Sequence, residues 1–166
     1  MILHASVAAD EPRAAAETLA ILLGGTALPL GPGEGTWSAV GPEPVGSLIS
    51  VLKRGSAFYP APDHVETRQA EPVRHSAFHM LLDTPLSEAE VMRLAEERGC
   101  HALRARHGAF DVIEFWIDDC LLIELVTPEL GQAYRATLVS EELRQRLAPI
   151  IAEGFAREGQ NVRPAL

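Results

Sequence analysis

The stretch "VRHSAFHMLL", Val73 to Leu82, decides how this chain is read. Two histidines stand four residues apart, a spacing that puts both imidazoles on one face of a helix and equally on one face of a strand. The run is ten residues long and is bounded by Pro72 and Pro85, which is short for a helix, so a strand is expected. On a strand, His75, Ala77, His79 and Leu81 share one face, and Ser76, Phe78, Met80 and Leu82 share the other. The second face is apolar and suits packing beneath a helix. The histidine face is mixed and suits a polar cavity.

The sequence downstream supplies that helix. "TPLSEAEVMRLAEERG" opens with Pro85 and a capping box, Ser87 to Glu90, carries Val91, Leu94 and Ala95 at helical spacing, and stops at Gly99. Three strand-like runs follow, "CHALRAR", "FDVIEFWI" and "CLLIELV". The same order occurs earlier in the chain. "MILHASVAA" is a short apolar run ending at Asp10, expected to be an N-cap with Pro12 in the first turn. "EPRAAAETLAILLGG" then places Ala15, Ala16, Leu19, Leu22 and Leu23 on one stripe and ends at Gly24 and Gly25. Strand-like pieces follow around Ala27–Leu30, Thr36–Val40 and Gly46–Leu52. A histidine-bearing strand, a helix, a closing glycine and three strands thus occur twice, and duplication of a βαβββ unit is the economical explanation.

The fold expected is α+β, with two βαβββ modules, 1–53 and 73–128, joined by a polar linker over 54–72 that carries prolines and shows no period. Together they make one domain over 1–130. Residues 131–166 are expected to be a C-terminal helical tail, in which "SEELRQRLAPIIAEGFAREG" starts at Ser140 as N-cap and is split by Pro149.

Charge and composition narrow the function classes. The chain has 166 residues, is 47% hydrophobic and carries a net charge of −9, so a packed core is expected, and neither nucleic acid nor an anionic membrane is expected as a partner. No apolar run approaches the roughly 20 residues of a membrane span, and no leader-like start is present, so a cytoplasmic location is expected. Cys100 and Cys120 read as small core residues rather than a disulfide framework.

The last strand brings chemistry. "LLIELV" places Glu124 among Leu122, Ile123, Leu125 and Val126, and a carboxylate buried alone costs several kcal/mol. It is then neutral, solvated in a cavity, or paired, and a metal held jointly with histidines would pair it. His4, among Ile2, Leu3 and Val7, offers a further imidazole. Two imidazoles and one carboxylate with open positions suit one divalent ion such as Fe, Mn, Ni, Co or Zn.

At these residues the chain resembles the vicinal oxygen chelate superfamily, which includes glyoxalase I, fosfomycin-resistance enzymes, extradiol dioxygenases and metal-free bleomycin-resistance proteins. The resemblance covers about Met1 to Pro128. "HASVAAD", His4 to Asp10, resembles the family's first strand, "HSAF", His75 to Phe78, the start of its second module, and "LLIELV", Leu121 to Val126, its last strand. The resemblance implies paired modules in a half-open, barrel-like mixed sheet and a metal held by His4, His75 and Glu124. It also implies a small oxygen-chelating substrate, a lyase, isomerase or dioxygenase type of reaction, and a homodimer. Two departures stand out. Ser50 in "GSLISVL" occupies the place of a fourth, glutamate ligand, and "DDC", Asp118 to Cys120, replaces the usual "D-P-D-G" turn. His79 is additional on the His75 face: a supporting residue, an acid/base, or the ligand itself if the register differs. His79 and Glu114 are the candidates for proton transfer. The alternative is a metal-free module that binds a small hydrophobic molecule, in which Trp37, Phe58, Tyr59 and Trp116 would line the cleft.

Overall fold

The computed structural model describes residues 3–138 except 32–33, 45, 61, 63–64 and 108–109, together with a few scattered positions beyond 138. The first module runs β1 (His4–Ala9), α1 (Pro12–Leu23), β2 (Thr26–Leu28), β3 (Trp37–Val40) and β4 (Leu48–Lys53). A hairpin of β5 (Ser56–Pro60) and β6 (Val65–Gln69) separates it from the second module. That module comprises β7 (His79–Asp83), α2 (Glu88–Arg98), β8 (His101–His107), β9 (Phe110–Ile117) and β10 (Leu121–Val126), and α3 (Pro128–Leu138) follows it. The two four-stranded sheets have the same order, β1-β4-β3-β2 and β7-β10-β9-β8. In each, the first strand runs parallel to the last and forms the edge, and the other pairings are antiparallel. Repeated sheet order is the structural form of the repeated sequence order, and neither sheet closes into a barrel.

Strand alternation decides which side chains meet the helices. Val7, Ala9, Ile49 and Val51 of the first sheet are buried with Ala16, Leu19 and Leu22 of α1. Ile113, Phe115, Ile123 and Leu125 of the second are buried with Val91, Leu94 and Ala95 of α2. These residues belong to one continuous core. Burying an aliphatic side chain of this size contributes about 1.5–3 kcal/mol, so two weakly apolar helices are held mainly by the sheets beneath them. Both helices end on a left-handed glycine, Gly24 at φ 67° and Gly99 at φ 63°, where a Cβ would be strained. The Ser87–Glu90 capping box is formed as the sequence indicates.

Several expectations are corrected. Helix α1 is capped at Glu11 with no side-chain cap bond, because the Asp10 carboxylate is engaged by Arg54 instead. The segment 54–72 is not an unstructured linker: it holds the β5–β6 hairpin, whose strands pair only with each other. Its mixed polar sequence gives no alternation signal because none of its side chains is fully buried in the described strands. The strand expected from Val73 begins only at His79, and 71–78 carries no regular structure. Only the His79–Asp83 part gains parallel partners on β10, and Pro72 lacks the N–H a ladder needs. The expected helix from Ser140 lies outside the described residues. Helix α3 begins earlier, at Pro128, after Thr127, whose Oγ1 accepts from the Leu130 N–H at 3.3 Å.

Helix α3 lies against β9 and β10. Val112 and Val126 alternate onto the sheet face opposite α2, yet they are fully buried, so α3 covers that face at this end of the sheet. Tyr134 meets Phe110 edge-on at 4.8 Å between ring centroids, and Arg135 Nη1 lies 2.7 Å from Asp83 Oδ1.

Candidate functional site

Parallel pairing fixes the register of the two modules independently, and it places the polar residues in equivalent positions. In the first sheet His4 pairs with Leu48, so Ser50 stands two residues further along the neighbouring strand. In the second, His79 pairs with Leu122, so Glu124 stands two residues further along. Both pairs point from the face away from the helices. His4 Nε2 lies 3.2 Å from Ser50 Oγ, and His79 Nε2 lies 3.9 Å from Glu124 Oε2. The equivalent of His4 is therefore His79. The glycine that ends each helix gives the same answer, since Gly24 follows His4 and Gly99 follows His79 by the same 20 residues.

His75, the expected ligand, is exposed in the irregular segment before β7 and lies four residues ahead of the strand that carries His79. Of the two histidines, His79 is the one that the structure brings near Glu124, at 3.9 Å.

A cavity of about 620 Å³ opens between the edge strands β1 and β7. His4, Ser6, Ser47, Phe78, His79 and Leu81 are among its lining residues, and it is bordered by aliphatic side chains from both modules. Glu124 does not line it directly and is reached past His79. Among the described residues, no lysine or arginine lines the cavity.

In the first sheet Ser50 and Ser38 are buried opposite one another. Their Oγ atoms are 3.0 Å apart, and Ser38 Oγ donates to the Leu30 carbonyl at 2.7 Å. Every polar atom of this buried chain has a partner, as low-dielectric surroundings require.

In the second sheet Glu114 of β9 stands directly opposite Glu124 of β10. Two carboxylates in such a cross-strand pair repel. His107, at the end of β8, sits between them: its Nε2 is 3.3 Å from Glu114 Oε1 and 3.8 Å from Glu124 Oε1. Trp116 Nε1 reaches the other Glu114 oxygen at 3.5 Å. Glu114 thus faces the Glu124 side of the sheet rather than bulk solvent, with a side chain 22% exposed. His107 has no motif around it. Its only sequence signal is alternation, which puts residues 103, 105 and 107 on one face of β8.

The donor types of His4, Ser50, His79 and Glu124 suit a divalent ion: two imidazole nitrogens, a carboxylate and a hydroxyl. The 3.2 Å between His4 Nε2 and Ser50 Oγ is close to the separation of two adjacent ligands on an ion with bonds of about 2.1 Å. The donors form two pairs, one per module. As they stand, no three His, Cys, Asp or Glu side chains among the described residues are gathered closely enough to enclose an ion.

Comparison with solved structures finds similar chains at low identity. A possible glyoxalase from Bacillus cereus is 18% identical, with a TM-score of 0.47 over 76% of this chain and 97% of its own. A lactoylglutathione lyase from Agrobacterium tumefaciens is 14% identical, with a TM-score of 0.48 over 78% and 95%. The fosfomycin resistance protein FosX from Mesorhizobium loti is 13% identical, with a TM-score of 0.45 over 78% and 92%. No protein-family model matches the chain, and no curated protein does.

Proposed function

We propose that this chain is a divalent-metal-dependent enzyme of the vicinal oxygen chelate type, acting on a small substrate that presents adjacent oxygens, with His4, His79 and Glu124 as the ligands. The observation that supports the reading most is the matched register of His4–Ser50 and His79–Glu124 in the two modules. A duplicated scaffold that keeps polar residues at one equivalent position, beside a shared cavity, invites a ligand held from both sides. A bound ion would stabilise negative charge developing on the substrate oxygens. The chain's own residues then do the rest. Leu81 and Phe78 give the cavity apolar surface beside the donors, and Ser6 and Ser47 offer hydroxyls for orienting a polar substrate. Glu114, contacted by Trp116 and His107 and paired across the strands with Glu124, is the carboxylate that would take a proton.

Metal content tests this. Protein purified without an affinity histidine tag is expected to carry, or to take up on reconstitution, about one transition ion per chain, and His4→Ala and Glu124→Ala variants are expected to lose it. Persistent absence of metal after reconstitution would leave the second reading, a metal-free binding module. The His4–Ser50–Ser38–Leu30 chain favours that reading, because the Nε2 of His4 is already engaged there by a protein hydroxyl.

A further inference from the structure

His107 is drawn towards the donor set by no motif and by no symmetry: among the described residues, no imidazole holds an equivalent place in the first sheet. We propose that His107 is a positioning residue that holds the Glu124 carboxylate towards His79, an inference that rests on the metal reading above. The argument starts from the register. Glu114 and Glu124 are directly paired across β9 and β10 and point from the same face. Their side chains are 22% and 12% exposed, so water screens their repulsion poorly. Left alone, Glu124 would swing away from Glu114 into the nearest space.

His107 removes that freedom. A carboxylate accepts only, so the Nε2–H of His107 donates to Glu114 Oε1 at 3.3 Å. The same N–H edge lies 3.8 Å from Glu124 Oε1, which draws that oxygen inwards. The other Glu124 oxygen, Oε2, is then the one turned to His79. Glu114 is pinned in its turn by Trp116 at 3.5 Å. The imidazole itself is backed by Phe110, whose ring lies parallel to it at 6.4 Å, and Phe110 is packed edge-on by Tyr134 of α3. The C-terminal helix therefore supports, through two rings, the residue that orients the one carboxylate ligand. Partners of this kind commonly change metal affinity about 10- to 100-fold when removed.

The test uses cobalt(II) titration of the full chain, followed by absorption, with wild type, His107→Ala, His107→Gln and His101→Ala. His107→Ala is expected to weaken binding about tenfold or more and to shift the cobalt spectrum. His107→Gln, which keeps an N–H at similar reach, is expected to recover most of that loss, and His101→Ala to bind as wild type. Unchanged binding in His107→Ala, or a loss that His107→Gln does not recover, would overturn the proposal. A metal-free arm separates it from the parent reading. In chelator, the urea midpoints of His107→Ala, Glu124→Gln and the double variant are expected to be non-additive. If wild type binds no cobalt, the metal reading falls and the midpoints alone decide; additivity then overturns the positioning role as well.

Discussion

Arg54, at the end of β4, is hydrogen-bonded through Nε to Asp10 Oδ1 at 2.6 Å, and this contact is half of a clasp between the two modules. Arg54 Nη2 also reaches Asp118 Oδ2 at 3.1 Å, and the Asp10 N–H donates to the same oxygen at 2.6 Å. Asp118 sits in the β9–β10 turn, where Asp118 and Asp119 both have positive φ, a conformation aspartate tolerates better than most residues. The turn at "DDC", Asp118 to Cys120, is thus the one that grips the first module.

Arg54→Met is expected to destabilise the chain by about 2 kcal/mol in urea unfolding. The Arg54 side chain is only 8% exposed and its loss leaves two carboxylates facing each other, but both carboxylates are partly solvated, which keeps the cost below that of a fully buried pair. The sign of the pH effect follows from Asp10. The hydrogen bond from Arg54, with charge from Arg54, Arg74 and Lys53, holds its carboxyl below the ordinary value. A group depressed in the folded state contributes stability above its unfolded value, and that stability is lost as pH falls through the folded value. Wild type should therefore lose this contribution below about pH 4, and Arg54→Met should show a shallower acid limb in the same window.

His79→Ala is expected to abolish binding of a divalent ion, and His75→Ala to leave it within about twofold of wild type. The reverse result would place the ligand before the strand, against the register that pairs His79 with Leu122. Calorimetric titration with nickel or cobalt reads the difference directly.

Ser50→Glu is expected to install in the first module the carboxylate that the second already has. Without metal the new group sits at a position 1% exposed, 3.0 Å from Ser38, so the variant should be less stable by about 2 kcal/mol or more. With a saturating divalent ion the loss should be largely recovered, because binding to the folded state stabilises it by mass action. Melting curves with and without the ion decide; a variant equally unstable in both would refute the equivalence of Ser50 and Glu124.

Neither cysteine is expected to react readily in the folded protein. Burial pushes both thiols up, Cys120 being 7% exposed and Cys100 half-buried. Titration with a disulfide reagent near pH 8 should be slow natively and rapid in urea, with two thiols per chain.

Both modules were legible because each helix carries its own start and stop signals and each sheet its own alternation. Ser87, Glu90, Gly24 and Gly99 act locally, and local chemistry can be read from local sequence. The failures share a cause. Whether residues 73–78 extend β7 depends on a partner on β10, and whether 56–69 forms a hairpin depends on one strand finding the other; neither is written in the segment itself. His75 drew attention through its "H-x-A-F" context, whereas the 20-residue interval from each histidine to its helix-ending glycine marks His79. His107 was out of reach because its role exists only once three strands lie side by side.

The serine pair beside His4 has one more consequence, which concerns direction. The Leu30 carbonyl cannot donate, so Ser38 spends its single proton there, and Ser50 must spend its own on Ser38. Ser50 then has only a lone pair for His4, whose neutral ring must carry its hydrogen on Nε2 and leave Nδ1 bare. The Leu30 carbonyl, acting through two serines, thereby selects one tautomer of an imidazole at the cavity wall. In nitrogen-15 spectra of the metal-free protein, His4 should report the Nε2–H form alone, and Ser38→Ala should release it to a mixture of both.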